Sequence, residues 1–159
     1  MSSYQATIRK AVHDQIVAEQ SNFVLTDFDI EQTYYPTSRL EDIGNKPEVK
    51  ICSVGMGTDR GRELRDPSKK VLELGVMVHV QQRISPTDTD TADDLIELGE
   101  DIMDACEDDE LVTGEEYSWL RTEPLKDEND LIYSYEALTV DGVFQTVFVL
   151  FYRYIHNAG

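Results

Sequence analysis

The residues that could act as nucleophiles or hold a metal lie far apart in this sequence. The three histidines, His13, His79 and His156, have no partner three or four residues further on that would complete a zinc pair. The cysteines, Cys52 and Cys106, fit no metal or redox spacing, so we expect buried free thiols in a reducing cytoplasm. No G-x-S-x-G nucleophile elbow is present. The sequence therefore predicts no catalytic, cofactor-binding or metal-binding residues, and a protein that is not an enzyme.

Two short motifs suggest phosphate or calcium binding, but neither has the required spacing. Gly55, Gly57 and Gly61 form G-x-G-x-x-x-G, which is not the dinucleotide fingerprint, and the sequence has no G-K-[ST]. The stretch "DTDTAD" (88–93) has carboxylates at positions 1, 3 and 6, whereas a calcium loop needs a ligand at 5 and glycine at 6. It is better interpreted as a helix cap. Acidic residues are so numerous that almost any two could be proposed as a glycosidase pair, so no pair is informative.

Negative charge is concentrated in one part of the chain. The 159 residues carry a formal net charge of −18, and 87–130 alone holds 18 acidic residues against two basic ones. The segment 46–83 instead holds eight basic residues against five acidic ones. This asymmetry argues against nucleic-acid binding by the acidic part.

The basic residues are concentrated in one connection between two predicted strands. Five of the 14 basic residues fall within 11 positions: Arg60, Arg62, Arg65, Lys69 and Lys70. Two interpretations stay open, a solvated loop and a docking arm that meets an acidic surface on another subunit or partner. We call residues 55–70 the basic arm.

Hydrophobic periodicity predicts two helices and six strands. Tyr4, Ile8, Val12 and Ile16 recur every fourth residue, which indicates an amphipathic helix over 3–20, with Ser2 and Gln5 as a possible capping box. A second helix is expected from about Thr91 to 107. The expected strands are 31–36, 48–54, 71–84, 115–125, 131–140 and 143–155. The fold class is therefore α+β, a single domain over 1–159 with a mainly antiparallel sheet and two helices packed on one face.

The last predicted strand is apolar at both odd and even positions. Val143, Val147, Val149 and Phe151 alternate with Phe144, Phe148, Leu150 and Tyr152. Since successive side chains of a strand point to opposite faces, this pattern predicts an interior strand that is covered on both sides. The Asp141-Gly142 dipeptide before it predicts a hairpin turn.

In the order and length of its elements, the whole chain resembles a bacteriophage tail terminator, the neck protein that caps a finished tail tube. The segments that carry the resemblance are the first helix, "TYYP", "EVKICSV", "VLELGVMVHV", "TADDLIELGEDIMDAC" and "GVFQTVFVLFYRYI". The resemblance implies a structural virion protein that assembles in the host cytoplasm and forms a homo-oligomeric ring, a hexamer. One ring face would bind the tail tube protein and the other the head-completion or connector proteins.

In such a ring, DNA passes through the centre without specific binding, and no membrane is involved. We expect an acidic surface on the second helix to face the channel, because like charge keeps DNA from adhering to the wall. Its expected members are Glu97, Glu100, Asp101 and Asp104. The alternative is an ordinary solvated helix on the outside of the ring.

Two other functions remain open from the sequence. A head–tail adaptor or stopper protein of the connector would have much the same element pattern. An acidic inhibitor that mimics DNA would explain the net charge, but it would not explain the basic arm.

Overall fold

A five-stranded sheet lies at the centre of the structure. The computed structural model describes residues 3–34, 39–59, 69–108, 111–112 and 117–157, with only the backbone described at 55–59, 69–71 and 156–157. Within these residues the helices are α1 (Tyr4–Glu19), α2 (Thr89–Cys106) and α3 (Tyr135–Asp141). The strands are β1 (Asp29–Thr33), β2 (Glu48–Asp59), β3 (Lys69–Arg83), β4 (Tyr117–Leu125) and β5 (Val143–Asn157). Short 3₁₀ turns occupy Gln20–Asn22 and Leu40–Asp42.

The sheet is mixed, with strand order β1-β2-β3-β5-β4. β1 runs parallel to β2, and the other neighbouring pairs are antiparallel. The α+β class is confirmed, whereas "mainly antiparallel" holds except for the β1–β2 pair. The prediction of two helices is corrected by α3, and the prediction of one domain over 1–159 stays a prediction.

α1 and α2 pack against one face of the sheet, which we call the inner face. Ile8 and Val12 of α1 and Leu98 and Ile102 of α2 are fully buried in one apolar cluster. The same cluster contains the even-numbered side chains of β3 and β5: Leu72, Leu74, Val76, Val78, Val80, Phe144, Phe148, Leu150 and Tyr152. The apolar stripe predicted for the first helix is thus confirmed, because Ile8, Val12 and Ile16 all lie in the core.

The N-terminal caps of α1 and α2 each differ from the predicted cap by one or more residues. Ser3 caps α1 by accepting a hydrogen bond from the Ala6 N–H at 3.2 Å, while Gln5 donates to the Val54 carbonyl at 2.8 Å. The predicted capping residue Ser2 lies outside the described residues. Asp88 caps α2 and accepts from the Thr91 N–H and hydroxyl, contacts that lower the pKa of its carboxyl. The cap interpretation of 88–93 is confirmed, and the helix begins two residues before Thr91.

The strand predicted over 131–140 is wrong, because most of this segment forms α3. Ser134 caps the helix by accepting from the Ala137 N–H at 3.2 Å. Gly142 ends it in the left-handed conformation, with φ +66°, and donates to the Ala137 carbonyl. The dipeptide predicted to form a hairpin turn therefore forms a helix C-cap. Only Tyr133 pairs as predicted for a strand, through one bridge to Thr146.

β5 is an interior strand, as predicted, since β3 and β4 pair with its two sides. Its even-numbered side chains are buried against α2, where the Tyr152 hydroxyl donates to the Cys106 carbonyl at 2.7 Å. On the opposite face Val143 and Val149 are buried, whereas Val147 and Phe151 are only half-buried. The two-sided burial predicted for this strand is therefore incomplete on the face away from α1 and α2. We call that face the outer face.

Candidate functional site

The outer face of β3 and β5 is apolar over most of its length. Met77 pairs with Val149, and His79 pairs with Val147, so these four side chains form one continuous surface. Further along, Gly75 lies so close to Val54 that an added Cβ would be 2.3 Å from the Val54 Cγ2 atom. The strands approach closely here because position 75 has no side chain.

A groove of about 270 Å³ opens on this face where the chain leaves β4. Its base is formed by β3 and β5, and its wall by the end of β4 and the segment that leads to α3. The lining residues are Met77, His79, Leu125, Lys126, Asp127, Ile132, Tyr133, Ser134, Gln145 and Val147. We call this the outer groove.

His79 is the buried polar group at the base of the outer groove. Its side chain is 3 % exposed, and neither ring nitrogen has a hydrogen-bond partner. Burial lowers the pKa of His79 to about 4, so the imidazole is neutral at pH 7. A neutral imidazole has one N–H donor and one acceptor nitrogen, and in His79 both are buried without a partner.

The wall of the outer groove is held in shape by Asp127. Its carboxylate accepts hydrogen bonds from the backbone N–H groups of Tyr135, Leu131 and Asn129, at 3.0, 2.9 and 2.9 Å. These bonds, that of Tyr135 foremost, lower the pKa of Asp127. The segment between β4 and α3 is therefore a preformed surface.

Large apolar side chains are exposed beside the groove. Leu125 is 43 % exposed and Ile132 is 39 % exposed, while α3 adds Tyr135 at 50 % and Val140 at 73 %. The segment 123–141 that carries them has six acidic residues and one lysine. Clustered exposed apolar groups with a charged rim are typical of a protein-binding surface.

The four predicted channel residues lie on one side of α2. Glu97, Glu100 and Asp104 are exposed, while Asp101 is half-buried and accepts from the Val24 N–H at 2.8 Å. Spacings of three and four residues place them on the helix face opposite Leu95, Leu98 and Ile102. We call them the acidic stripe. Their position relative to a channel stays a prediction.

Part of the basic arm is strand rather than loop. β2 continues to Asp59 and pairs there with Val71 of β3. Lys69 and Lys70 begin β3, where their backbone pairs with Asn157 and His156. The predicted loop over 55–70 is thus corrected at both ends. Arg60, Arg62 and Arg65 lie outside the described residues, so their predicted role in an interface stays a prediction.

Sequence reasoning missed Arg121, which lies at the other end of the outer face. Its guanidinium forms ion pairs with Glu73 and Glu123, and it stacks 4.2 Å from the centre of the Phe151 ring. The hydrogen bonds to Glu123 and Glu73 raise the pKa of Arg121. Arg121 and Phe151 can be recognised as neighbours only when the pairing register of β4 and β5 is known, and the sequence alone does not give that register.

Sequence reasoning also missed Arg9, a nearly buried arginine in α1. It donates to the Gln32 side chain at 3.1 Å and lies 4.7 Å from the centre of the Tyr34 ring. Through these two contacts Arg9 connects α1 to β1 and to Tyr34, which directly follows β1.

The described residues contain no cluster of three or more His, Cys, Asp or Glu side chains that could hold a metal ion. Cys52 and Cys106 are buried free thiols, as predicted, and burial raises the pKa of Cys106 to about 12. None of the described helices is both long and apolar enough to cross a bilayer.

The comparison with known proteins gives a distant similarity among solved structures. No family model and no curated protein matches the chain. Among solved structures, the chain is similar to the sheath/tube terminator of an extracellular contractile injection system, PVC, in its extended state. The identity is 12 % and the TM-score 0.47, over 93 % of this chain and 56 % of that one. This chain therefore spans just over half the length of that protein.

Proposed function

We propose that this chain is a structural virion protein that caps a phage tail tube as a homo-oligomeric ring, a hexamer, and joins the tail to the head-completion proteins. The channel for DNA runs through the centre of the ring. The role is mechanical rather than catalytic.

The observation that carries the proposal is the uncovered apolar part of the outer face. A rigid sheet presents a preformed groove, with exposed leucine, isoleucine, tyrosine and valine side chains on its wall and on α3. A subunit that stayed alone would leave this surface in water, whereas a ring covers it with the neighbouring subunit.

The division of charge supports a ring around DNA. The acidic stripe presents four carboxylates on one side of α2, and the basic arm carries five positive residues at a distant point of the chain. When the basic residues pair with acidic residues of neighbouring subunits, most of the acidic residues stay unpaired, because the chain has 32 acidic and 14 basic residues. A channel wall with this negative charge does not retain the phosphate groups of passing DNA. In this arrangement Glu97, Glu100 and Asp104 face the channel.

The test uses tail tubes assembled without heads in the phage that encodes the chain. We expect the purified chain to bind one end of each tube and to make tubes of defined length competent to join heads. A head–tail adaptor or stopper would bind the head portal and leave isolated tubes bare. Binding to neither partner would contradict both functions.

The arm provides a second test. Changing Arg60, Arg62 and Arg65 to Glu should leave the circular dichroism spectrum unchanged and block tail completion, because the arm meets carboxylates across an interface. Each exposed ion pair contributes only about 0–1 kcal/mol, so the three changes are combined. Wild-type yields of joined particles from this variant would show that the arm is only a solvated loop.

A further inference from the structure

Arg9 of α1 is a nearly buried positive charge whose contacts are all with uncharged groups. Its side chain is 6 % exposed, and none of the ion pairs among the described residues includes it. Its guanidinium instead donates to the Gln32 side chain at 3.1 Å and to the Ser53 hydroxyl at 3.4 Å. Buried charges in proteins are normally paired, because removing a charge from water is costly. The described residues around Arg9 leave its charge uncompensated.

A second polar group in this part of the interface between α1 and β2 is also unsatisfied. Gln5 lies one helical turn before Arg9 on the same side of α1, and its amide donates to the Val54 carbonyl at 2.8 Å. Its Oε1 atom is buried and accepts no hydrogen bond. Buried polar groups are nearly always satisfied in proteins, so two exceptions on one helix face indicate a binding site rather than ordinary packing.

An exposed tyrosine lies over the Arg9 guanidinium. The centre of the Tyr34 ring is 4.7 Å from the Arg9 Cζ atom, yet the side chain of Tyr34 is 75 % exposed. Tyr34 directly follows β1, which is an edge strand of the described sheet. Arginine and tyrosine are enriched among the residues that dominate protein-binding interfaces. The pair therefore lies at the edge of the sheet, where a neighbouring chain can approach it.

The acidic residues in and beside β1 are already bound to lysines. Lys46 pairs with Asp27 and Asp29 at 3.1 and 3.2 Å, and Lys50 pairs with Glu31. These lysines reduce the repulsion that an incoming carboxylate would meet at this edge of the sheet. A second copy of the chain offers many carboxylates, because it has 32 acidic and 14 basic residues.

We propose that Arg9 and Tyr34 bind a carboxylate side chain of a second copy of the chain. The carboxylate accepts hydrogen bonds from the guanidinium, whose planar set of donors matches the two carboxylate oxygens. The Tyr34 ring packs against the carbon atoms that carry this carboxylate. The inference rests on the proposed ring and names a contact between neighbouring subunits. The contact is heterologous, since it joins different surfaces of the two copies.

The self-association of Tyr34→Glu tests this contact, because the variant places a carboxylate beside Arg9 within the same subunit. That carboxylate compensates the guanidinium and blocks the incoming one. Light scattering over a concentration series should give a dissociation constant at least tenfold higher than for the neutral variant Tyr34→Gln. Val17→Glu is the matched charge control, since Val17 is 46 % exposed and about 12 Å from Arg9 along α1, and it should self-associate like wild type. Equal dissociation constants for the two Tyr34 variants would overturn the inference.

Thermal unfolding of the dilute chain tests the charge of Arg9 without self-association. Tyr34→Glu should raise Tm by about 2–4 °C relative to Tyr34→Gln, and adding Arg9→Gln to both variants should remove that difference. No gain in Tm would show that the charge of Arg9 is already compensated within the subunit, and it would overturn the inference.

Tail tubes separate this inference from the proposed function. If the free chain is monomeric, the two Tyr34 variants are compared by the fraction of tube ends that each one caps in electron micrographs. We expect Tyr34→Glu to cap at least tenfold fewer ends than Tyr34→Gln. Equal capping by both variants would overturn this inference alone, whereas a wild type that neither self-associates nor caps tubes would contradict the proposed function as well.

Discussion

The acidic stripe should lower the stability of the isolated subunit. Its four carboxylates form four like-charge pairs at spacings of three or four residues along α2. Each such pair destabilises a helix by about 0.2–0.5 kcal/mol at low salt. The triple variant Glu97→Gln, Glu100→Gln and Asp104→Asn removes all four repulsions, because every pair contains at least one of these residues.

We therefore expect this triple variant to be more stable than wild type by about 1–2 kcal/mol at low salt. For a domain of this size that difference raises Tm by about 2–8 °C. Thermal unfolding followed by circular dichroism at roughly 0.01 M and roughly 1 M salt measures it, since the Debye length falls from about 30 to about 3 Å. The advantage of the variant should largely disappear at the higher salt.

Asp101→Asn is the matched control, because it makes the same charge change at a residue with a structural contact. It relieves two repulsions but weakens the hydrogen bond from the Val24 N–H. Hydrogen bonds to charged groups contribute about 1.5–3 kcal/mol, less at a partly exposed site, so we expect a net loss of about 1 kcal/mol. A triple variant no more stable than wild type would refute the argument that the stripe is kept at the expense of stability.

Three further predictions concern the sheet. Tyr152→Phe removes the buried hydrogen bond to the Cys106 carbonyl and should destabilise the fold by about 1–2 kcal/mol in urea unfolding. Gly75→Ala should destabilise it by about 1–3 kcal/mol through the contact with Val54, and adding Val54→Ala should recover part of that loss, whereas no loss would contradict the close approach. The lowered pKa of His79 means that the unfolded chain binds the proton more tightly, so stability should fall as pH drops from about 6.5 to about 4. In the His79→Leu variant, the urea midpoint of unfolding should change less with pH over that window than in wild type. A variant whose urea midpoint depends on pH as strongly as that of wild type would refute the assignment.

The elements with strong periodicity were predicted well from the sequence. The four-residue repeat of α1 and the alternation of β3 indicate which side chains face the core. Both patterns arise because apolar side chains are buried on one side of the element. The interior position of β5 also followed from its composition, because two apolar faces require neighbours on both sides.

The elements that depend on particular polar contacts could not be predicted in the same way. α3 forms at a place where alternating residues favoured a strand, because Asp127 binds the backbone of Leu131 and Tyr135 and Ser134 caps the helix. The outer groove combines residues from β3, β4 and β5 with those of the segment before α3. No local pattern could bring His79, Leu125 and Val147 together without the strand order.

Electron cryomicroscopy of tail tubes incubated with the purified chain tests the central claim most directly. The account predicts a single ring of six copies at one end of each tube, with the acidic stripe toward the axis and the outer groove at the subunit boundary. Tubes with bare ends, or with copies along their whole length, would contradict it.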